Sequence, residues 1–534
     1  MEGTATPTTD DLSRVKELGT PFAASLLSLP EEHISEFLAG TRRLDSDRLA
    51  AISILSKVVA WLKQTRALNG LSDCELSSAL QKLKALQTRF SSPTNQSATD
   101  PVLVPLLELL SDSYPYFLLP MRAREAAAGS MTLMSYGHPA RTRFSEAVLS
   151  DNELVKLFPM GSGTLDRKGY IESTHFASTI QLDTLPVDIL RTAYAWMRVK
   201  DNLSIEAMAA ECEQVLEAMR RFARGDTVTV PALFGFEGVA LPKGQRVATV
   251  LGHLSYLSPG LRDVLPSAIR PPSDGEDLPG FALITTADIK VVVKDQFQDL
   301  EQIRKKYSIP AADPFEKALE AVALGVSLAI PREAPSVTSL MGRIILNPFI
   351  IGDYSFSPRR VSLNAPTMIE IADLAALAEW CDRIGKTDAK GSKVAISRTL
   401  RCLGERDRTD DSFVDAVIAL EALFGGRDQV ALGLATCVAR LEGKSIEDRR
   451  KLSKSVKKLY DARSKVVHGG ALPKPSDLHD KRNEAVSHLI ACLRVLYRDW
   501  PELLNLEAND RVKEILLFDR SAVSPEAVES AAHS

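Results

Sequence analysis

The chain has 534 residues, of which 45% are hydrophobic and 25% are charged, and its formal net charge is −4. This length exceeds what a single hydrophobic core organises, so we expect about two to four domains of a globular protein. The slightly acidic balance excludes a protein that coats nucleic acid along its whole surface, and it confines any such binding to a local patch.

Cysteine spacing and apolar run length give the cellular context. Six cysteines are scattered with no close pair: Cys74, Cys212, Cys381, Cys402, Cys437 and Cys492. That spacing suits a reducing cytosol and rules out a zinc ribbon or a local disulfide framework, so we predict no metal and no cofactor. The N-terminus lacks the basic and apolar regions of a signal peptide, and the longest apolar run, residues 321–330, is too short to span a bilayer. We therefore predict a cytoplasmic protein without a membrane partner.

Residues 1–130 form a helical N-terminal region by pattern. Apolar residues recur at helical spacing from Leu49 to Leu62, and a polar linker at residues 91–101 precedes a second helical stretch.

Residues 131–366 have the sequence pattern of a mixed α/β region. Runs rich in β-branched residues at 227–236, 281–293 and 343–351 predict strands, and helices are expected at residues 187–222 and 314–330. The sequence Gly161-Ser162-Gly163 lacks the Gly-Lys-Ser/Thr that a phosphate loop requires, so it predicts a plain turn. No motif assigns chemistry to this region.

From residue 367 to the end the pattern is almost wholly helical. Helical segments are predicted at 367–385, 393–403, 411–425, 429–442, 445–468, 481–499 and 507–519, and Ser524-Pro525-Glu526 starts a last short helix. Within this part, residues 367–390 are a linking helix and residues 506–534 are a C-terminal helix and tail. The predicted fold class is therefore multidomain and mainly α, with a mixed α/β central region.

The helix at 445–468 carries an arginine on its apolar face. The apolar stripe consists of Leu452, Val456, Leu459, Val466 and Val467. At about 100° per residue, each of these side chains falls within roughly 60° of Arg463. Burying a guanidinium costs several kcal/mol unless it meets a carboxylate, a phosphate or a wet cleft. Glu421 interrupts the apolar stripe of a neighbouring helix, so it is a candidate partner for which Arg440 competes.

His468 follows Arg463 by five residues and precedes Gly469 and Gly470, a pattern typical of a helix stop with a left-handed glycine cap. On an ideal helix His468 points about 140° away from Arg463. The two side chains therefore meet only if the helix ends near Val467 or if a second copy brings its own pair to the same cleft.

The outer face of this helix is basic. Between residues 444 and 468 stand nine basic residues against three acidic ones, a local net charge of +6. A polyanion is the natural partner of such a face, although lysines of this kind are most often simply solvated.

Three blocks of sequence together resemble one known family. The runs RTDDSFVDAVIALEALFGG (408–426), ATCVARLEG (435–443) and LYDARSKVVHGG (459–470) resemble the HEPN domain, most closely its ApeA-like branch. The resemblance covers residues 391–505 and implies a C-terminal HEPN helical bundle there.

The resemblance implies a function as well as a fold. Many HEPN domains dimerise and are metal-independent endoribonucleases of bacterial toxin, CRISPR-associated and anti-phage systems, with the arginine and histidine of each protomer meeting at the interface. The family motif falls on Arg463 and His468. The residue after the arginine is often Asn, Asp or His in the family, whereas here it is Ser464.

The residue types suit RNA cleavage by attack of the 2′-hydroxyl. Histidine titrates near working pH and can exchange the proton of a hydroxyl, while arginine holds charge on a phosphorane-like transition state. Lys454, Lys458, Tyr460 and Lys465 are the predicted RNA-binding residues, and Glu421, Arg440 and Ser464 are predicted to give structural support.

We therefore predict a homodimeric HEPN endoribonuclease in bacterial anti-phage defence or a toxin-like system, with RNA as partner and an unknown trigger acting on the N-terminal regions. The alternative is a non-catalytic HEPN protein that dimerises or binds RNA or a nucleotide, in which Arg463 is only a buried arginine paired with Glu421 and His468 only caps a helix.

Overall fold

The computed structural model describes residues 12–52 in part, 99–118, 138–265 apart from 165 and 174–176, 280–295, 315–330, 339–349, 354–355, 367–404, 408–425, 430–468 and 475–517. Within these ranges the α-helices are α1 (Thr20–Leu27), α2 (Glu31–Leu38), α3 (Leu103–Leu118), α4 (Pro139–Ser150), α5 (Leu185–Val199), α6 (Ile205–Arg224), α7 (Pro259–Val264), α8 (Glu316–Ala329), α9 (Leu374–Lys386), α10 (Lys393–Gly404), α11 (Thr409–Phe424), α12 (Val430–Glu442), α13 (Ile446–Val467), α14 (Pro475–Asp499) and α15 (Ala508–Leu517). The chain is therefore mainly helical, as the sequence predicts.

Small sheets occupy the central region. The strands of the described residues are β1 (Lys168–Ser173), β2 (Ala177–Gln181), β3 (Val228–Glu237), β4 (Val239–Ala240), β5 (Arg246–Thr249), β6 (Gly252–Tyr256), β7 (Gly280–Ile289), β8 (Val291–Lys294), β9 (Ser339–Ile345), β10 (Tyr354–Ser355) and β11 (Thr367–Met368). They form an antiparallel sheet of order β10-β9-β3-β7-β6-β5, a second of order β2-β1-β8, and a parallel pair β11-β4. A mixed α/β centre is thus confirmed.

Strand β3 lies in the middle of the larger sheet. It pairs with β7 over its whole length, with Val228 opposite Ile289 and Phe234 opposite Leu283. Most of its side chains are buried, which explains why the run at 227–236 is rich in apolar residues instead of alternating. The predicted run at 281–293 is two strands, β7 and β8, which belong to different sheets.

Two helical predictions need correction at their ends. Residues 367–385 were predicted to be helical, but Thr367–Met368 is a strand, because the Thr367 and Ile369 amides donate to carbonyls of Gly238 and Ala240. The helix predicted at 481–499 begins at Pro475, since proline with its fixed φ suits the first turn.

The glycine-rich turn at residues 161–163 binds its own chain. Gly161 has φ +90°, and the amides of Ser162 and Gly163 donate to the carboxylate of Asp166 at 3.3 and 2.6 Å. These backbone hydrogen bonds lower the pKa of Asp166. The predicted plain turn is therefore confirmed.

Helix α8 lies between two hydrophobic cores. Val322 and Val326 belong to the core of the N-terminal and central regions, whereas Leu324 and Leu328 belong to the core of the C-terminal helices. A helix that is apolar on all sides is expected to be buried on all sides. From Ala321 onward this helix belongs to the longest apolar run of the sequence, residues 321–330, and its side chains contribute to both cores.

The C-terminal helices pack around α11. Its residues Phe413, Val417, Leu420 and Phe424 are buried, and α10, α12, α13, α14 and α15 all contact it. Five predicted segments from 393 to 499 correspond to helices α10 to α14, so the helical bundle follows the pattern of the sequence.

Several predictions lie outside the described residues. These are most of the helix predicted at 49–62, most of the linker at 91–101, the glycine cap at 469–470 and the helix start at 524–526. Among the described residues, no helix combines the length and the apolar character that crossing a bilayer requires.

Candidate functional site

Helix α13 contains Arg463 and the predicted RNA-binding residues, and His468 directly follows it. Ser445 caps its N-terminus, where the Ser445 hydroxyl accepts a hydrogen bond from the Asp448 amide at 3.0 Å. The helix ends at Val467, and the amide of His468 donates to the carbonyl of Ser464 at 3.0 Å. The predicted limits of this helix, and its end near Val467, are therefore confirmed.

Arg463 meets Glu421 in the groove between α13 and α11. A guanidinium Nη of Arg463 lies 3.6 Å from a carboxylate oxygen of Glu421, and the two side chains are 22% and 20% exposed. This separation allows attraction between charges but is too long for a hydrogen bond. The predicted pairing of these two residues is present in the structure.

The pair leaves hydrogen-bonding capacity unused. Nε of Arg463 and Oε1 of Glu421 are both buried, and neither has a hydrogen-bond partner in the part of the chain that the structure describes. Burial raises the pKa of the Glu421 carboxyl, and the charge of Arg463 opposes that shift without cancelling it. The groove therefore holds Arg463 with its positive charge only partly neutralised by Glu421.

His468 is exposed at the end of the same helix. Among the described residues, no hydrogen bond or ion pair joins its side chain to Arg463 within one copy of the chain. This agrees with the helical geometry, which directs the two side chains to different sides. An imidazole at this position is free to approach a bound molecule or a second copy.

The basic face of α13 is open to solvent. Lys454, Lys458 and Lys465 are exposed, as are Lys451 and Lys457. Tyr460, in contrast, is half-buried and packs against the core of the bundle, which leaves less of its ring for a bound nucleotide. Of the predicted support residues, Ser464 is half-buried on α13 and Arg440 is half-buried on α12.

A buried arginine that the sequence analysis missed lies at the base of the bundle. Arg511 on α15 is fully buried and donates to backbone carbonyls and one hydroxyl: Leu503 O at 2.8 Å, Leu423 O at 2.8 Å, Leu506 O at 2.6 Å, Gly391 O at 3.1 Å, Leu504 O at 3.5 Å and Ser392 Oγ at 2.6 Å. Burial lowers the pKa of Arg511 to about 10. The pattern that could have found it is its helical spacing from buried Ile515, which places it on the apolar stripe of α15.

A second missed cluster joins helices α12 and α14. Nδ1 of His488 lies 2.9 Å from a carboxylate oxygen of Glu442, and the thiol of Cys492 lies 3.5 Å from the other oxygen. Burial alone would lower the pKa of His488, but the hydrogen bond and charge of Glu442 outweigh burial and raise the pKa. His488 and Cys492 are one turn apart, a spacing that was visible in the sequence, but their carboxylate partner was not.

No set of three or more His, Cys, Asp or Glu side chains with the arrangement of a metal site occurs among the described residues. The five described cysteines, at positions 212, 381, 402, 437 and 492, are buried free thiols.

Comparison of the chain with models of known families, with curated proteins and with solved structures finds no match.

Proposed function

We propose that this protein is a metal-independent HEPN endoribonuclease of bacterial anti-phage defence or of a toxin-like system. The observation that carries the proposal is Arg463, a largely buried guanidinium with an unsatisfied Nε, held 3.6 Å from its carboxylate partner beside an exposed lysine face. A phosphate group would supply the hydrogen bonds that Glu421 does not, because guanidinium and phosphate bind in a bidentate manner.

The chemistry assigned to the site is transphosphorylation of RNA. The 2′-oxygen attacks the adjacent phosphorus as its proton leaves, the bond from phosphorus to the 5′-oxygen breaks, and that oxygen receives a proton. His468 serves one of these two proton transfers, and Arg463 holds the charge that builds on the non-bridging oxygens. The products are a 2′,3′-cyclic phosphate and a free 5′-hydroxyl.

The active assembly is a homodimer through the bundle. Within one copy, no hydrogen bond or ion pair among the described residues joins the side chains of Arg463 and His468, whereas a twofold contact across this helix would bring both copies of each side chain to one groove. The exposed lysines 454, 458 and 465 would then line the path of the RNA on both sides. The N-terminal and central regions would sense a trigger and restrain the bundle.

The test is cleavage of single-stranded or transfer RNA in EDTA by the purified full chain. We expect cleavage that leaves cyclic-phosphate ends and falls by about a hundredfold or more in His468→Ala. Lys386→Ala, at an exposed position on α9 away from the basic face, should cleave like the parent and serves as the control. Toxicity of the expressed parent, relieved in His468→Ala, is expected in cells. Equal cleavage by the parent and His468→Ala would rule out this assignment.

The second candidate is a non-catalytic HEPN protein that dimerises or binds RNA or a nucleotide. It is favoured by Ser464, which stands where the family often has Asn, Asp or His after the arginine, and by the ion pair of Arg463 with Glu421. This candidate predicts RNA binding or assembly without cleavage and no toxicity on expression. Gel-shift and size measurements on the same preparations distinguish the two.

A further inference from the structure

A cavity lies where helix α8 meets the C-terminal bundle. It has a volume of about 230 Å³ and opens between α8, the end of α9, the start of α10 and the end of α14. Ala321, Leu324, Ile384 and Ile396 form an apolar floor, and all four are buried. We call it the junction pocket, because one of its walls is α8, the helix that contributes side chains to both hydrophobic cores. Most small-molecule sites combine such a floor with a few polar groups.

The charges at the mouth of the junction pocket are largely matched. Lys393 lies 3.7 Å from Glu316, and Lys390 lies 3.4 Å from Asp388. All four of these side chains are exposed, so solvent screens the pairs. Lys317, also exposed at the mouth, adds a third lysine, so the rim has one more positive than negative charge, which solvent screens.

The interior of the junction pocket differs from the rim. Glu320, one turn after Glu316 on α8, is half-buried and forms no hydrogen bond or ion pair with any residue that the structure describes. Tyr497 is buried at the base, and within the same described ranges its hydroxyl has no hydrogen-bond partner either. Both groups line the same pocket; burial raises the pKa of Tyr497, and the charge of Glu320 adds to the rise.

Because Glu320 is half-buried, its carboxylate is only partly hydrated, and an occupant that donates hydrogen bonds and carries positive charge would stabilise it. Burial raises the pKa of the Glu320 carboxyl, the charge of Glu316 adds to the rise, and Lys393 opposes it. An ammonium group would be held by the carboxylate, and an alkyl stem would cover Leu324 and Ile384. The small volume suits a ligand well below drug size.

We infer that the junction pocket binds a small organic cation, an ammonium group on a short apolar stem, with Glu320 as its counter-ion and Tyr497 at its side. Because α8 forms one wall of the pocket and α10 and α14 contribute to the others, such a ligand would hold α8 against these bundle helices. This inference stands on the pocket alone and does not depend on nuclease activity.

Titration of the full chain with matched probes tests this site. We expect 1,4-diaminobutane and n-butylamine to bind and to raise the melting temperature, and n-butanol and butyrate, of similar shape, to do neither. Glu320→Gln should weaken amine binding by about tenfold or more, and Tyr497→Phe by roughly threefold. Glu316→Gln, at the rim on the same helix, should change it by less than about twofold.

The pH dependence provides a separate readout. Binding of the amine should strengthen as pH rises through the pKa of Glu320, since only the ionised carboxyl pairs with ammonium, and this dependence should vanish in Glu320→Gln. The inference is overturned if no amine binds, if n-butanol binds equally well, or if Glu320→Gln binds the amines as tightly as the parent. Binding of a nucleoside monophosphate through Glu320 in place of the amines would also overturn it, because the ligand class would then be different.

Discussion

Two regions of the same bundle hold a buried arginine in opposite ways. At the base, Arg511 is fully enclosed, and it donates to several backbone carbonyls and to the hydroxyl of Ser392. In the groove between α11 and α13, Arg463 keeps some exposure, and its Nε has no hydrogen-bond partner among the described residues. The guanidinium of Arg511 forms its hydrogen bonds within the fold, whereas the guanidinium of Arg463 retains an unused donor, Nε.

The difference teaches how to tell a structural cation from one available for binding. A buried donor that is satisfied by backbone groups joins segments distant in sequence, and its loss leaves several carbonyls unpaired. A donor that stays unsatisfied next to an exposed basic face lowers stability unless a ligand uses it. Stability should therefore depend on Arg511, and binding should depend on Arg463.

Removal of Arg511 should have the largest effect on stability. Arg511→Met removes the guanidinium donors to the carbonyls of Leu423, Leu503 and Leu506, so we expect the free energy of unfolding to fall by about 3–5 kcal/mol. Chemical denaturation measures this change. Arg450→Met, at an exposed position on α13, is the control and should stay within about 0.5 kcal/mol of the parent. A similar loss in both variants would remove the distinction between the two regions.

The His488–Glu442 pair should give the next largest effect. Its hydrogen bond to a charged group is worth about 1.5–3 kcal/mol, so His488→Gln should destabilise the bundle by about that amount at pH 6. The folded pKa of His488 lies above the ordinary histidine value of 6.5, so the stability from this pair is complete below pH 6.5 and is lost as pH rises through the folded pKa.

Unfolding free energies across this pH range, for the parent and both histidine variants, check the sign. His479→Gln, an exposed histidine of the same helix, should keep the pH dependence of the parent, whereas His488→Gln should lose it. A parent stability that increases with pH through this window would contradict the assignment.

Substitution of Glu421 should have a smaller effect on stability. Because burial already favours the neutral carboxyl, Glu421→Gln should change the free energy of unfolding by less than about 1 kcal/mol. In the parent, the unfolded chain ionises first as pH rises past 4.5, so this carboxyl makes stability fall until the folded pKa is passed. The variant should lack that fall.

Glu421→Gln should also release Arg463 for phosphate, and we expect RNA to bind about threefold more tightly. A filter-binding titration at fixed salt measures this. Weaker binding in the variant would mean that the carboxylate positions the arginine for RNA, and it would contradict the view that the pair is incompletely matched.

The lysine face should contribute the smallest effect for each residue. Lys454→Ala and Lys458→Ala should each weaken RNA binding by about two- to threefold and reduce the salt dependence, because each lysine neutralises about one phosphate. Lys386→Ala, at an exposed position on α9, should leave binding unchanged. If Lys454→Ala, Lys458→Ala and Lys386→Ala bind RNA equally well, the lysines of α13 are only solvated and do not contact RNA.

The sequence predicts the parts of this account that depend on helical period. The span of α13, its end near Val467 and the position of Arg463 on its apolar stripe follow from apolar spacing, and Glu421 is conspicuous because it interrupts such a stripe. Residues 367–368 pair with a strand more than a hundred positions earlier, which no local pattern indicates.

The role of Arg511 could not be predicted for a related reason. Its partners include the carbonyls of Gly391, Leu423 and Leu503. Every residue has a backbone carbonyl, so the sequence does not show which of them accept a hydrogen bond from Arg511. The partner of His488 is likewise on another helix, α12. Interactions between elements are therefore found only once the packing of the bundle is known.

The central claim is that Arg463 serves RNA chemistry and not the fold. The most direct measurement is the rate of RNA cleavage in EDTA by Arg463→Ala, on protein whose unfolding midpoint has been measured in the same buffer. The account predicts that cleavage falls by about a hundredfold or more, while the melting temperature shifts by only a few degrees. Cleavage at the parental rate by folded Arg463→Ala would contradict it.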